Sequence, residues 1–340
     1  MGSYPPQRYV TRGTKLYHNM FQVASSGGGG SSGSSIGGWK ELARTTLGSS
    51  SSAYSVSSLA NKRYYMILVN NFQSAQTVGD CFRLNSDSSS SFSGRENKNG
   101  GTDSTFTGKT KTGFWAFHPH SQPSFAVGYY ANLPNKEKIG MCQSVGHGSN
   151  VSGASNAPER GQCSQKYSNT SDSINAFNMA NVWNSYDSGS EMVVLGYDES
   201  DSHTDSFFEE LDDSSWSSGG SWTSGTFTAK KYLFVQFYTK GNAGSSYFRF
   251  NGDSSSSYSN RYSINGGSDS TIASQPESYL GAIDGFSFHN LFIINNASKE
   301  KLFTHNRVSR STAGSGTSPT RNEGAGKWSN TSDQITSITV

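Results

Sequence analysis

The sequence predicts an all-β protein, with two tandem jelly-roll-like antiparallel β-sandwich domains after an extended N-terminal arm. Aromatic residues make up 13% of the 340 residues, whereas only 15% are charged, and the chain holds 38 glycines and several serine runs. Aromatic residues favour strands, while Gly, Ser, Asn and Asp favour the turns between them. Short strand-like segments follow one another, and much of the sequence occurs twice. These features are typical of a β-sandwich rather than of a helical fold.

A long internal repeat predicts a duplicated domain. Residues 81–105 read CFRLNSDSSSSFSGRENKNGGTDST, residues 247–271 read YFRFNGDSSSSYSNRYSINGGSDST, and 16 of these 25 positions are identical. Shorter matches occur in the same order along the chain: 39–42 with 208–211, 62–66 with 230–234, 136–138 with 299–301, and 168–172 with 329–333. Self-similarity over this length indicates two copies of one domain.

The repeat defines the organisation of the chain. We expect an attachment arm with a Gly/Ser tether at 1–37, a first sandwich at 38–198, a linker at 199–205 and a second sandwich at 206–340. The second copy lacks a counterpart of the last apolar strand of the first. Truncation of the sequence is the simpler explanation. The other is that a neighbouring chain supplies the strand by β-augmentation.

Nine segments of the first copy have the pattern of strands: 53–59, 63–72, 80–85, 113–118, 125–131, 138–144, 162–167, 174–182 and 192–197. Gly, Ser and Asn turns separate them, and this spacing favours a sandwich over alternating strands and helices. No segment has a sustained 3.6-residue apolar period, so we expect helices to be few and short.

Composition and charge exclude several classes of protein. A formal net charge of +2 is too small for a nucleic-acid surface, and no apolar run is long enough for a membrane span. We therefore expect neither nucleic-acid binding nor membrane insertion. The first residues lack the basic and then apolar pattern of a secretory signal. Cys81, Cys142 and Cys163 are too few for a disulfide framework, so the core alone is expected to hold the fold.

The N-terminal arm is the candidate attachment segment. Aromatic and arginine side chains suit such anchors because they combine buried area with charge-assisted hydrogen bonds. The residues expected to bind a neighbouring subunit are Tyr4, Pro5, Arg8, Tyr9, Arg12, Lys15 and Tyr17. A flexible Gly/Ser tether follows them. The alternative is a disordered tail with no binding role.

Candidate metal ligands are few. His118 and His120 are two residues apart on a predicted strand and would point to one side of it. Zinc needs two further ligands, and the spacing of Cys142 and His147 matches no known zinc motif. Loop histidines and small buried cysteines are the simpler interpretation.

Acidic residues recur in both copies as Asp87 with Asp253 and Asp103 with Asp269. Such carboxylates could bind calcium. However, Asn and Asp directly after a strand close turns through side-chain hydrogen bonds to the backbone. The pattern therefore favours turns over calcium sites.

Recurring arginines have a structural interpretation as well. Arg83 recurs as Arg249 and Arg95 recurs as Arg261. A buried arginine of this set paired with Asp87 or Asp253 would fix the strand–turn geometry. The sequence contains no nucleophile elbow, no recognisable Ser/His/Asp arrangement and no spacing that singles out two converging carboxylates. We therefore expect a protein that is not an enzyme and that has no cofactor and no metal.

The repeated motifs resemble those of a known group of proteins. The strand–FRFNGDSSSSYS segment, the later KWSNTSDQITSI and the closing GSEMVVLGYD are similar to a β-sandwich module of structural proteins of tailed bacteriophages, particularly marine ones. The resemblance covers both domains and not the arm. The first domain departs from it by placing Tyr167 where the second has Trp328, and the second lacks the closing strand. It implies a head decoration, head fibre or tail fibre without catalytic activity.

The resulting hypothesis is a virion structural protein on the exterior of the capsid or tail. Its partners would be capsid or tail subunits of the same particle, and we expect a homo-oligomer. A first alternative is a tail-fibre or adhesin protein that binds host-surface glycans through Trp216 and Trp222; these tryptophans could instead cover the sandwich edge. A second alternative is a cellular surface-layer or filament subunit.

Overall fold

The computed structural model confirms the all-β prediction. It describes residues 38–340 except 74–79, 115–122, 148–151, 181–184, 199–200, 202–205, 214, 218, 242–243, 283–284 and 311–313. All pairs of strands are antiparallel. The described residues contain no helix, and so none that could cross a membrane.

The first domain is a sandwich of a large and a small sheet. Its strands are β1 (Lys40–Thr46), β2 (Ala53–Val56), β3 (Tyr64–Asn71), β4 (Asp80–Leu84), β5 (Phe92–Lys98), β6 (Ser104–Lys109), β7 (Thr112–Phe114), β8 (Ser124–Ala131), β9 (Lys138–Gly146), β10 (Glu159–Tyr167), β11 (Phe177–Ala180) and β12 (Glu191–Tyr197). The large sheet has the order β1-β12-β3-β8-β9-β10-β5-β6, and the small sheet has the order β2-β11-β4-β7.

The second domain repeats most of this topology. Its strands are β13 (Tyr232–Gly241), β14 (Ser245–Phe250), β15 (Tyr258–Ile264), β16 (Ser270–Gln275), β17 (Ser278–Ala282), β18 (Gly285–Ile294), β19 (Lys301–Arg310), β20 (Thr320–Trp328) and β21 (Ile338–Thr339). The order β13-β18-β19-β20-β15-β16 matches β3-β8-β9-β10-β5-β6, and β17-β14-β21 matches β7-β4-β11. The duplication inferred from sequence is therefore visible in the order of the strands.

Strands β1, β2 and β12 of the first domain have no corresponding strand among the described residues of the second domain. Val340 lies one residue after β21, and no described strand of the second domain corresponds to β12. In the described part of the chain β1 pairs only with β12, and residues 209–211, which match 40–42 in sequence, form no strand. In place of β2, Thr223 forms a single bridge to Thr339.

Three strands of the first domain were not among the nine predicted segments. Strands β5 and β6 are polar, with half-buried or exposed residues at most positions. In strand β1 the apolar residues Leu42 and Ala43 are adjacent, and a bulge between Glu41 and Ala43 interrupts the alternation. Apolar periodicity is the main sequence signal for a strand, and these three strands lack it.

A disulfide joins Cys142 on β9 to Cys163 on β10, and this corrects the expectation that the core alone holds the fold. The two residues are directly opposite each other in the antiparallel pair, with 5.2 Å between their Cα atoms. A spacing of 21 residues gives no hint of this register, which depends on how the hairpin closes. Cys81 is the cysteine outside this disulfide.

The second domain has a histidine pair where the first has the disulfide. Alignment of β9 with β19 places His305 at the position of Cys142, and the residue opposite His305 is Gly324. His305 Nε2 lies 3.3 Å from Nδ1 of His289, which stacks on Phe237. Both imidazoles are buried. Burial lowers the pKa of both, and the nearby Arg307 cation lowers it further, to about 3 for His305.

The two sandwiches pack through the outer faces of their large sheets. The first domain contributes Met66, Leu68, Phe125, Val127, Val145, Val193 and Leu195 to this apolar layer, and the second contributes Phe208, Phe292, Ile294, Leu302 and Ala325. All of these side chains are buried. The two domains therefore share a core, and burial of this much apolar surface joins them into one block.

Buried polar contacts add specificity to this interface. The amides of Gln143 and Asn306 exchange reciprocal 2.8 Å hydrogen bonds. Glu191 accepts a 2.7 Å hydrogen bond from the Tyr232 hydroxyl and lies 3.0 Å from Lys231 Nζ. Charge-assisted hydrogen bonds fix the geometry of an interface more tightly than apolar contacts do, so these pairs define how the two sheets lie on each other.

Candidate functional site

A polar cleft lies at the same place in both sandwiches. Strand β10 ends beside the start of β5, because Tyr167 pairs with Phe92, and β20 ends beside β15 in the same way. The first cleft is lined by Asn85, Asp87, Ser89, Ser91 and residues 167–172, and the second by Asn251, Asp253, Ser255, Ser257 and residues 328–333. Their volumes are about 560 and 520 Å³.

Nine of the ten lining positions carry the same residue in both clefts; the exception is Tyr167, which corresponds to Trp328. Both aromatic side chains are fully buried. Tyr167 stacks on Phe92, with 4.9 Å between the ring centroids, and Trp328 stacks on Tyr258, with 6.3 Å. The aromatic residue thus forms the back wall of each cleft, and its ring faces the core.

Asparagines begin the turn that forms one side of each cleft. Asn85 and Asn251 have φ of 57° and 54°, in the left-handed region that Asn tolerates better than most residues. Asn85 Nδ2 donates to the Ser173 carbonyl, and its Oδ1 accepts from the Asn175 amide, each at 2.8 Å. Each asparagine therefore fastens the turn to the segment that leads into the small sheet.

Aspartates close the same turn. Asp87 Oδ1 accepts hydrogen bonds from the backbone amide and hydroxyl of Ser89, at 2.7 and 2.6 Å. Burial tends to raise the pKa of Asp87, but hydrogen bonds from Ser89, Ser91 and Tyr167 outweigh burial and lower this pKa. Burial raises the pKa of Tyr167 to about 12, and the hydrogen bond from Tyr167 to Asp87 adds to this rise. The carboxylate is therefore held ionised as an acceptor within the turn.

The second cleft has the same connections. Asp253 Oδ1 accepts from the Ser255 amide at 2.8 Å, and its Oδ2 accepts from Trp328 Nε1 at 2.6 Å and from the Ser257 hydroxyl at 2.8 Å. Burial again raises the pKa of Asp253, and these hydrogen bonds lower it by more. The structure thus confirms that Asp87 and Asp253 close turns, as the sequence indicated.

The opposite side of each cleft is an asparagine-centred loop. Asn169 Oδ1 accepts 2.9 Å hydrogen bonds from the amides of Ser171 and Asp172, and its Nδ2 donates to Asp172 Oδ2 at 2.8 Å. Asn330 makes the same three bonds in the second domain. The asparagine side chain fixes the loop, while the neighbouring hydroxyl groups remain at the surface.

A buried lysine supports each loop from below. Lys138 Nζ donates a 3.0 Å hydrogen bond to the Asn169 carbonyl, and Lys301 Nζ donates one of 3.0 Å to the Asn330 carbonyl. Burial lowers the pKa of both ammonium groups, to about 8 for Lys301. Each lysine is directed at backbone oxygens, so it stabilises the loop and does not face the opening.

The arm residues proposed for attachment, Tyr4 to Tyr17, lie outside the described residues. The tryptophans proposed for glycan contact are described. Trp216 and Trp222 stack on each other, with 5.2 Å between the rings and 12° between their planes. Both are half-buried. Trp222 also packs against the core of the second domain and exchanges backbone hydrogen bonds with Val340, so it covers the sandwich edge.

The metal candidates do not converge in the described part of the chain. His118 and His120 lie outside it, Cys142 is in the disulfide, and His147 Nε2 lies 3.1 Å from Glu300 Oε2 in the interface between the domains. No group of three or more His, Cys, Asp and Glu side chains among the described residues could hold a metal ion.

The predicted pairing of arginines with the turn aspartates is wrong. Arg83 donates to the Thr110 carbonyl at 3.1 Å, and Arg249 Nη2 lies 2.7 Å from Glu277 Oε2. Donors within the turn already occupy Asp87 Oδ1, and donors of the turn together with Trp328 Nε1 occupy both oxygens of Asp253. A carboxylate supplied with such local donors has no need of the arginine on the preceding strand.

The sequence indicates both segments that line each cleft, but it does not indicate that they lie side by side. The Asn85–Ser91 turn and the Ser168–Asp172 loop are each visible as a repeat in the sequence. The missing step was that β5 pairs with β10, which places the start of one strand beside the end of the other. Because strand β5 has no apolar periodicity, nothing in the local pattern indicates that the two segments lie side by side.

Comparison with known proteins gives little similarity. No family model matches the chain, and no curated protein matches it. Among solved structures, the LG1–3 region of the laminin α2 chain is 12% identical with a TM-score of 0.22, and the match covers 86% of this chain and 59% of that one. Domains LG4–5 of the mouse laminin α1 chain are 11% identical with a TM-score of 0.20, covering 87% and 80%.

Proposed function

We propose that the protein is a non-enzymatic structural protein on the exterior of a virion, either a capsid decoration or a fibre. The observation that carries this proposal is the face-to-face packing of the two large sheets. A shared apolar layer and the buried contacts of Glu191 make the two domains a single rigid block. Such a block is suited to a load-bearing or displayed role, because a motion of one domain against the other would expose the apolar layer between them to water.

Two further features support the exterior position. The disulfide between Cys142 and Cys163 is of the kind that persists in oxidising environments, which include virion surfaces. Two of the three sequence motifs that resemble tailed-phage modules also build the clefts. In this proposal the arm binds a neighbouring capsid or tail subunit, and many symmetric copies strengthen weak single contacts through avidity.

Deletion of residues 1–24 tests this function. The shortened protein is expected to fold, because the described domains begin after the arm, and to be absent from purified particles. Circular dichroism would check the fold, and immunoblotting of particles would check incorporation. A matched control is Thr107→Arg, an exposed change on β6 in the intact chain, which should leave incorporation unchanged. Normal incorporation of the shortened protein would refute attachment by the arm.

A second candidate function is binding of a host-surface glycan. The observation that favours it is the half-buried Trp216–Trp222 stack, because aromatic rings at a surface provide apolar faces for sugar rings. Trp216→Ala is the informative variant, since Trp222 also packs against the core. Loss of glycan-array signal in Trp216→Ala would support binding at the stack, and an array without signal for the unchanged protein would refute this function.

A further inference from the structure

The two clefts are among the segments of the duplicated domain that have diverged least. Nine of their ten lining residues are identical. In the cores the same duplication has replaced the Cys142–Cys163 disulfide by His305 and Gly324. Core positions are constrained by packing, whereas exposed polar positions are usually free to change. Identity at the exposed positions therefore needs an explanation beyond the fold.

Part of this identity is structural. The aspartates of the turns and the asparagines of the loops accept the backbone hydrogen bonds that fix each segment. Other retained residues have no such role. Thr170 and Ser171, like Thr331 and Ser332, are exposed, and within the described residues their hydroxyl groups form no hydrogen bond. The fold would tolerate other small residues at these four positions, but both copies have kept Thr and Ser.

The groups at the opening match the chemistry of a carbohydrate. Hydroxyl groups both donate and accept hydrogen bonds, and Asp172 uses only Oδ2 in its bond to Asn169, so Oδ1 remains as an acceptor. Sugar hydroxyls require such a mixture of donors and acceptors. The cleft, of about 560 Å³, is open to solvent, so a ligand on the surface can reach these groups.

Charge decides between ligand classes. Lys138 directs its ammonium group at backbone carbonyls below the loop, so the cleft offers no cation to an acidic sugar. Calcium needs several converging carboxylate or carbonyl oxygens, and among the described residues no group of three or more His, Cys, Asp and Glu side chains could hold a metal ion. The groups that remain at the opening suit a neutral, hydroxyl-rich ligand.

We propose that the two clefts are equivalent subsites for neutral carbohydrate, held at a fixed separation by the rigid block. This inference rests on the second candidate function, glycan binding, and moves its site from the tryptophan stack to the clefts. Two identical sites on one rigid body bind an immobilised glycan surface with avidity, although each site alone is weak.

The test uses the full chain on an array of neutral oligosaccharides and, separately, with the same oligosaccharide free in solution. The variants are Ser171→Arg, Ser332→Arg and their combination, with Thr107→Arg as the matched exposed control. Each arginine would fill one opening while leaving the backbone hydrogen bonds of the loop in place. Circular dichroism and thermal unfolding would confirm that all variants are folded.

We expect each single variant to lose about 100-fold in apparent affinity on the surface and half of the binding stoichiometry in solution. The combined variant should lose binding in both formats, and the control should retain it. Unchanged binding by the combined variant, with loss in Trp216→Ala, would overturn the inference and place the site at the tryptophan stack. Calcium binding measured by calorimetry and abolished by the combined variant would overturn it in favour of a cation site. No array signal for the unchanged protein would refute glycan binding altogether, leaving the structural role untouched.

Discussion

Acidification should destabilise this protein through the buried histidine pair of the second domain. His289 and His305 are buried side by side, and Arg307 is the cation that faces them. Burial and this cation lower the pKa of both imidazoles, to about 3 for His305. Histidines of the unfolded chain titrate near their usual pKa of about 6.5. At a pH between this value and the lower pKa of the folded state, the unfolded chain therefore binds more protons than the folded chain.

The sign and size of the effect follow from proton linkage. When folding lowers the pKa of a basic group, the folded state loses stability as the pH falls below the unfolded pKa. This loss continues down to the folded pKa. At pH 5 His305 costs about 2 kcal/mol relative to neutral pH, because its unfolded pKa lies ~1.5 units above that pH. His305 should thus lower the free energy of unfolding by about 2 kcal/mol, and His289 lowers it further in the same direction.

Urea denaturation at pH 7 and pH 5, followed by tryptophan fluorescence, measures this loss. The variant His289→Asn with His305→Gln keeps polar groups near the two facing nitrogens and removes both titrating rings. The difference in pH dependence between the unchanged protein and this variant isolates the pair from every other titrating group. An equal loss of stability in both proteins would show that the histidines do not carry the effect, and the reasoning would be wrong.

Three further changes test the packing. Replacing Cys142 and Cys163 together by Ala should lower the free energy of unfolding in urea by about 3 kcal/mol, and a reductant should not change the unfolding midpoint of this variant. A variant with the same midpoint as the unchanged protein would argue against the disulfide. Glu191→Gln should cost about 2 kcal/mol by weakening charge-assisted hydrogen bonds between the domains; calorimetry showing no loss of stability would contradict that assignment. Gly326→Ala should cost at least about 1–3 kcal/mol, because a Cβ there would lie 1.9 Å from the Phe303 ring, and native-like thermal stability would show that the ring moves freely.

The all-β class of the fold could be predicted from the sequence because the strongest sequence signals are local or repetitive. Aromatic strands and Ser/Gly turns indicate a sandwich without any knowledge of pairing, and the duplication is visible as identity between 81–105 and 247–271. The turns at Asp87 and Asp253 could be predicted because their hydrogen bonds join residues close together in the chain.

Features that depend on non-local register could not be predicted in the same way. The disulfide needs Cys142 and Cys163 to be opposite in β9 and β10, and the clefts need the end of β10 to meet the start of β5. The pairing of Arg249 with Glu277 depends on β14 lying beside the turn that precedes β17. A shift of one residue would reverse the face of each side chain, so none of these contacts is encoded by local pattern.

The proposed function also makes a prediction for the chemical environment of the protein. The disulfide should be formed in protein taken from assembled particles. Intact-mass measurement with and without a thiol-alkylating reagent under non-reducing conditions would show one reactive cysteine, Cys81, before reduction and three after it. Three reactive cysteines in protein from particles would contradict an oxidised state on the particle exterior.

The most direct test of the central claim is quantitative mass spectrometry of purified particles before and after mild protease treatment. The account predicts that peptides from both sandwiches are present at many copies per particle, in fixed ratio to the capsid or tail subunits. It also predicts that surface-exposed segments of the chain are cleaved while internal particle proteins remain intact. Absence of the chain from purified particles, or full protection of it in particles whose exterior proteins are cleaved, would contradict an exterior virion role.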